Sequence, residues 1–92
     1  MYYRITKMAW DPSKRDEIYS YIDSVEEKMK ALGAQSISLV EVGEGSSISI
    51  AAYSSKEEAD KAAPKVGEIL GGIGPYMTAA PEPYEGEATR EF

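Results

Sequence analysis

A chain of 92 residues has room for one small domain. It contains no Cys and no His, which removes disulfides, zinc centres, imidazole acid–base chemistry, triads with a His base and haem held by an imidazole. Sixteen acidic against ten basic residues give a formal charge of −6, the opposite of a nucleic-acid footprint and unfavourable at an anionic membrane surface.

The chain opens on 2–10, rich in aromatic and β-forming residues, with no long apolar core of a signal peptide. Nowhere do about 18 apolar residues run together, so no membrane-spanning helix is expected and the default location is cytoplasmic, which the cysteine-free composition suits. Alternation places Tyr3, Ile5 and Ala9 on one side of the strand and Tyr2, Met8 and Trp10 on the other, so both faces need a cover. Asp11 or Ser13 then caps a helix with Pro12 in its first turn. Ile18, Ile22, Val25, Met29 and Leu32 form its apolar stripe, widened by Tyr21, and Gly33 supplies a left-handed stop. Glu26, Glu27, Lys28 and Lys30 fall on its solvated side.

Two alternating segments follow, 36–42 and 47–53, with Gly43-Glu44-Gly45 between them, whose glycines suit a short hairpin. Matching aliphatic with aliphatic puts Ile37, Leu39, Ile48 and Ile50 under the helices and leaves Val40, Val42, Ala51 and Tyr53 on the other face. Ser55 and Glu58 form a capping box for a second helix, with Ala59, Ala62, Ala63, Val66, Ile69 and Leu70 as its buried stripe. Pro64 inside it predicts a kink or two short helices. The run from Gly71 to Pro75 is a stop, 76–80 is the expected fourth strand, and Pro81-Glu82-Pro83 breaks it. Residues 84–92 read as a frayed acidic tail or a short fifth strand.

The order is βαββαβ with a C-terminal arm: an α+β, ferredoxin-like pattern with a four-stranded antiparallel sheet and helices on one face. Residues 1–80 form the ferredoxin-like domain and 81–92 the arm. The sheet's other face is covered either by water or by the sheet of a second subunit, and its small Ser and Ala side chains suit close sheet-on-sheet packing in a homodimer.

The βαββαβ order, the Gly43/Gly45 hairpin, the junction Tyr53-Ser54-Ser55-Lys56-Glu57-Glu58-Ala59 and the proline-bounded end resemble the dimeric α+β barrel superfamily, which includes the antibiotic-biosynthesis-monooxygenase-like proteins. The resemblance implies a homodimer of two ferredoxin-like sheets and an arm, 84–92, that crosses to the partner. Haem-degrading and chlorite-dismutase-like relatives use a His ligand, and this chain has none. Cofactor-independent monooxygenases resemble it at the aromatic after the third strand, Tyr53. Where they carry a Trp early in the next helix, this chain has Ser55, Lys56, Glu57 and Glu58.

The residues themselves point to a cleft. The second helix offers Ala59, Ala62, Ala63 and Gly67 to the sheet, which either lets the layers pack closely or leaves room for a ligand. The expected ligand-binding residues are Trp10, Tyr19, Tyr21, Tyr53, Tyr76 and Met77 as walls and Arg4 or Lys7 as a basic anchor. Such an anchor selects a carboxylate, so the expected ligand is small and apolar or amphipathic, and fatty-acid-like in its specific form. Arg4, on a central strand, has a competing use in pairing with Glu41 or an acid of the arm. The seven Tyr read as amphipathic wall and rim residues, no neighbour visible in sequence supplying the pKa shift that acid–base work needs. Adjacent acids such as Glu26-Glu27 diverge on a helix, and no spacing marks a metal site; no cofactor is expected. Gly71-Gly72-Ile73-Gly74 follows a helix and precedes a strand, the reverse of a phosphate loop. The reading is a homodimeric small-ligand-binding protein; the alternative is a cofactor-independent monooxygenase-like enzyme for a phenolic or polyketide substrate.

Overall fold

The computed structural model describes residues 1–92. The elements are β1 (Tyr2–Ala9), α1 (Arg15–Ser24), α2 (Glu26–Lys30), β2 (Ser36–Gly43), β3 (Ser46–Tyr53), α3 (Lys56–Ile73) and β4 (Glu82–Glu87), with single 3-10 turns at Pro12–Lys14 and Gly74–Tyr76. All strand pairs are antiparallel and the order is β2-β3-β1-β4, the split βαβ arrangement expected from the sequence.

Local chemistry explains each helix and its departures from expectation. Asp11 caps the first turn, its carboxylate accepting from the Ser13 amide at 2.9 Å and hydroxyl at 2.8 Å. The single first helix expected from the sequence divides at Val25 (φ −108°, ψ 13°). There the Ser24 hydroxyl donates to the Tyr21 carbonyl at 2.6 Å, and the Val25 amide is shared between the Tyr21 and Ile22 carbonyls, each at 3.2 Å. Such back-bonding competes with the regular ladder and bends a helix. Ser55 caps α3 as predicted, accepting from the Glu58 amide at 3.2 Å. Contrary to expectation α3 is continuous through Pro64, because Pro64 and Asp60 lie on the exposed face, where water satisfies the carbonyl that proline leaves unpaired. It also runs through Gly71 and Gly72 to Ile73. Gly72 faces Tyr21 so closely that a Cβ there would collide with the phenol ring.

The face assignment of β3 is corrected by one residue of register. Near the turn Gly43 pairs with Ser46, but beyond a bulge between Glu41 and Gly43 the pairs become Glu41↔Ser47, Leu39↔Ser49 and Ile37↔Ala51. One extra residue turns every later side chain to the opposite face. Ile37 and Leu39 therefore share the helix side with Ser47, Ser49, Ala51 and Tyr53, whereas Ile48 and Ile50 join Val40 on the open side.

The fourth strand is likewise displaced. Residues expected to form it make one bridge, Trp10↔Met77, and β4 forms at 82–87 within the segment read as an arm. It pairs with β1 of its own chain, setting Glu82 opposite Lys7 and Glu85 opposite Arg4. Opposite charges across an antiparallel pair are favourable, and Pro83 is tolerated because β4 is an edge strand.

Fourteen of the 92 residues are buried, and the core they form is divided. One cluster joins Tyr2, Ala51, Tyr53, Ala59 and Ala62; the other joins Met8, Trp10, Ile18 and Ile73.

Candidate functional site

Between the helices and the sheet lies a cavity of about 90 Å³ that touches both core clusters. Sixteen of its twenty lining residues are hydrophobic, which makes it a site for apolar matter. Ile18, Ile22, Val66, Ile69 and Leu70 contribute to the helical roof, and Ile37 and Leu39 close the β2 side. The floor is the helix-facing side of β1 and β3. The bulge that reverses β3 brings Ser47, Ser49, Ala51 and Tyr53 there beside Arg4, Thr6 and Met8.

The floor is chemically divided. Trp10 closes one end, its indole N–H donating to the Ser47 hydroxyl at 3.0 Å. Thr6 and Tyr53 are 5% and 1% exposed, and neither hydroxyl, nor that of Ser49, takes part in a side-chain hydrogen bond. No wholly buried side-chain N or O lacks a partner, so each of these hydroxyls keeps some accessible surface. Arg4 stands beside them with a loose ion pair to Glu85, Nε to Oε2 at 3.8 Å. That partner lies in the segment read as an arm, one of the two pairings foreseen for Arg4. Burial pushes the Tyr53 phenol above its ordinary pKa of 10.0, against a smaller opposing pull from Arg4. Tyr53 is therefore protonated at neutral pH, a hydrogen-bond donor and not a base.

Glu41, the other acid considered for Arg4, is engaged elsewhere. Arg15 Nε donates to its Oε1 at 2.9 Å, Tyr19 donates to the same atom at 3.3 Å, and the Arg15 guanidinium lies 4.7 Å from the Tyr19 ring centre. This cluster ties α1 to β2 and holds Tyr19 at the cavity wall.

Of the residues expected at the site, Arg4, Trp10, Tyr19, Tyr53 and Met77 line the cavity together. Tyr21 does not: it turns to α3 and donates to the Ile69 carbonyl at 2.7 Å. Tyr76 also lies outside the lining, packed against the Trp10 cluster. Lys7, on the open face, is no anchor for it. Ser49 escapes a reading of the sequence because its place depends on the bulge, whereas Thr6, on the same β1 face as Arg4 and Trp10, is passed over as a small polar residue. The signal for Ser49 is the β3 alternation itself, whose small polar side goes to the open face if the hairpin is taken as regular, and the signal for Thr6 is the β1 alternation that already places Arg4 and Trp10.

A volume of 90 Å³ is well below the roughly 300–1,000 Å³ of pockets that enclose drug-sized ligands, so the cavity alone holds no fatty-acid chain. No group of three or more acidic side chains converges to hold a metal, and no helix is long and apolar enough to cross a membrane.

No protein-family model and no curated protein matches the sequence significantly. Solved structures do. Rv0793 from Mycobacterium tuberculosis is 17% identical with a TM-score of 0.79, over 98% of this chain and 96% of that one. A candidate antibiotic biosynthesis monooxygenase from Caulobacter crescentus is 19% identical with a TM-score of 0.81, over 97% and 90%. A dimeric ferredoxin-like protein from an uncultured marine organism is 13% identical with a TM-score of 0.80, over 99% and 90%. These likenesses extend over nearly the whole chain at identities that speak for architecture alone. The chain thus has the ferredoxin-like α+β fold shared by antibiotic-biosynthesis-monooxygenase-like and dimeric ferredoxin-like proteins.

Proposed function

We propose that this chain is a homodimeric protein that takes a small, mostly apolar molecule with one polar group into the cavity between helices and sheet. The observation that carries the reading is the floor: three uncommitted hydroxyls and a loosely paired guanidinium under an otherwise apolar roof. An apolar ligand body desolvates against the roof, while Thr6, Ser49, Tyr53 and Arg4 fix the orientation of its polar group.

The homodimer rests on the open sheet face. Ser38, Ile50, Ile5 and Tyr84 form a row across all four strands, flanked by Val40 and Ile48. Ile5, Val40 and Tyr84 are exposed on it. A second copy packed face to face through a twofold axis covers this row with its own. Exchange of 81–92 between subunits would preserve the β1–β4 pairs, with each arm supplied by the partner. A cytoplasmic location is part of the same reading.

Two structural relatives are named as antibiotic biosynthesis monooxygenases, which favours a second reading, an oxygenase; for this chain we take that as oxidation of a phenol by O2 without a cofactor. Arg4 would favour the electron-rich phenolate and Tyr53 would donate to an oxygen of the substrate. Oxidation of the phenol to its quinone consumes one O2 and releases one water.

Native mass spectrometry and the emission of Trp10, the single tryptophan, test the first reading. The expected result is twice the chain mass and a saturable change in Trp10 emission on adding phenol. A monomer whose emission phenol leaves unchanged would contradict it. The second reading requires O2 uptake with a phenolic panel by flavin- and metal-free protein, lost in Tyr53→Phe; absence of uptake contradicts it.

A further inference from the structure

Beside the inner cavity, α2 and β2 leave an outer groove of about 410 Å³. Met29, Ala34, Ile37 and Leu39 give it apolar walls, with Glu26 and Lys30 among the polar side chains at its rim. Met29, Ile37 and Leu39 line both spaces, so these three side chains are the partition between them.

Two observations indicate that the partition belongs to a site. Leu39 points to the helix side of the sheet yet remains 39% exposed, at the edge strand β2 beneath the groove. Met29, opposite, is an unbranched side chain with three rotatable bonds, suited to moving aside without repacking its neighbours. The groove also lies on the face away from the proposed dimer contact, so a second copy does not fill it.

We propose that the groove is the outer half of one binding site, and that Met29 and Leu39 form its internal gate. The inference rests on the reading of the inner cavity given above and specifies its ligand. The inner cavity of about 90 Å³ is too small for more than a head group, and the adjoining groove of about 410 Å³ supplies the room for the rest of a drug-sized ligand. The ligand is an elongated amphipathic molecule. Its polar-tipped head lies on Arg4, Thr6, Ser49 and Tyr53, its alkyl part passes Met29 and Leu39, and its end reaches the polar rim.

The test is a titration with phenol and 4-alkylphenols of increasing chain length, followed by Trp10 emission and by NMR of 13C-labelled methionine methyls. The four methionines separate the compartments: Met8 and Met77 line the inner cavity, Met29 lies at the gate, and Met1 lies outside both. Phenol is expected to move the Met8 and Met77 signals. Each added methylene is expected to tighten binding about fourfold while the chain remains in the groove, with a growing Met29 shift and a silent Met1. Responses at Met8 and Met77 with affinity and Met29 shift independent of chain length would overturn the two-part site and leave the inner cavity standing. No response from any methionine to any member of the series would overturn both.

Discussion

Filling the inner cavity from its floor perturbs the site most directly. Ser49 lies mid-floor between Leu39 of β2 and Thr6 of β1, on a strand that accepts β-branched residues. Ser49→Ile directs three extra carbons into the void and removes one of the uncommitted hydroxyls. A void of about 90 Å³ costs about 2 kcal/mol at ~24 cal/mol per Å³. Partial filling is therefore expected to stabilise the fold by about 1–2 kcal/mol, with the melting temperature rising by roughly 4–8 °C per kcal/mol. The same substitution should abolish the response of Trp10 to phenol, a gain in stability set against a loss of function. Urea unfolding at fixed protein concentration, which holds any association constant, measures the first effect and Trp10 titration the second. A loss of about 1–3 kcal/mol, the usual result of overfilling a packed core, would refute the void and with it the site.

Three further outcomes follow from other parts of the molecule. Ile50→Lys places a charge in the centre of the open face and is expected to convert the dimer to a monomer in sedimentation velocity; an unchanged dimer would place the interface elsewhere. Gly72→Ala is expected to destabilise by about 1–3 kcal/mol through the Cβ collision with the Tyr21 ring, whereas an uncrowded helix position gains up to ~1 kcal/mol from the same change. A gain measured by urea unfolding would rule out that close approach. Asp11 is held below its ordinary 3.8 chiefly by the Ser13 hydroxyl hydrogen bond, then by the Ser13 amide. A carboxyl whose folded pKa is depressed contributes stability that is full above about pH 4 and lost as pH falls through the folded value. Asp11→Asn should therefore flatten the fall in stability on acidification below pH 4, and an unaltered pH profile would remove Asp11 from that role.

Much of the frame is legible because it is written in short-range chemistry. Ser55 and Glu58 mark the start of α3 as a capping box, the Ile18–Ile22 spacing marks the buried side of α1, and the alternation of β1 sorts its two faces correctly. The errors arise where one residue changes a long-range relation. The bulge by Val42 is invisible in composition, yet it decides whether Ser49 and Tyr53 or Ile48 and Ile50 face the helices. The expected β4 falls too early because Pro81 and Pro83 read as breakers, whereas an edge strand tolerates Pro83 and the Glu82–Lys7 and Glu85–Arg4 pairs fix its position. At the site, Arg4, Trp10, Tyr19, Tyr53 and Met77 are readable as aromatic or charged side chains on elements that face the helices. Tyr21 lies off the cavity wall because its hydrogen bond to Ile69 depends on how α1 crosses α3; Ser49 is lost with the bulge, and Thr6, although on the readable face of β1, is too small and polar to stand out as a wall residue.

Xenon reports directly on an apolar cavity between helices and sheet, whatever the natural ligand, since apolar voids take up the gas. Methyl NMR under xenon pressure should show saturable shifts at Ile18, Ile22 and Leu70 of the roof and at Met8 of the floor, with Met1 unmoved. Uniformly small, linear shifts across all methyls would show a closed interior and contradict the account.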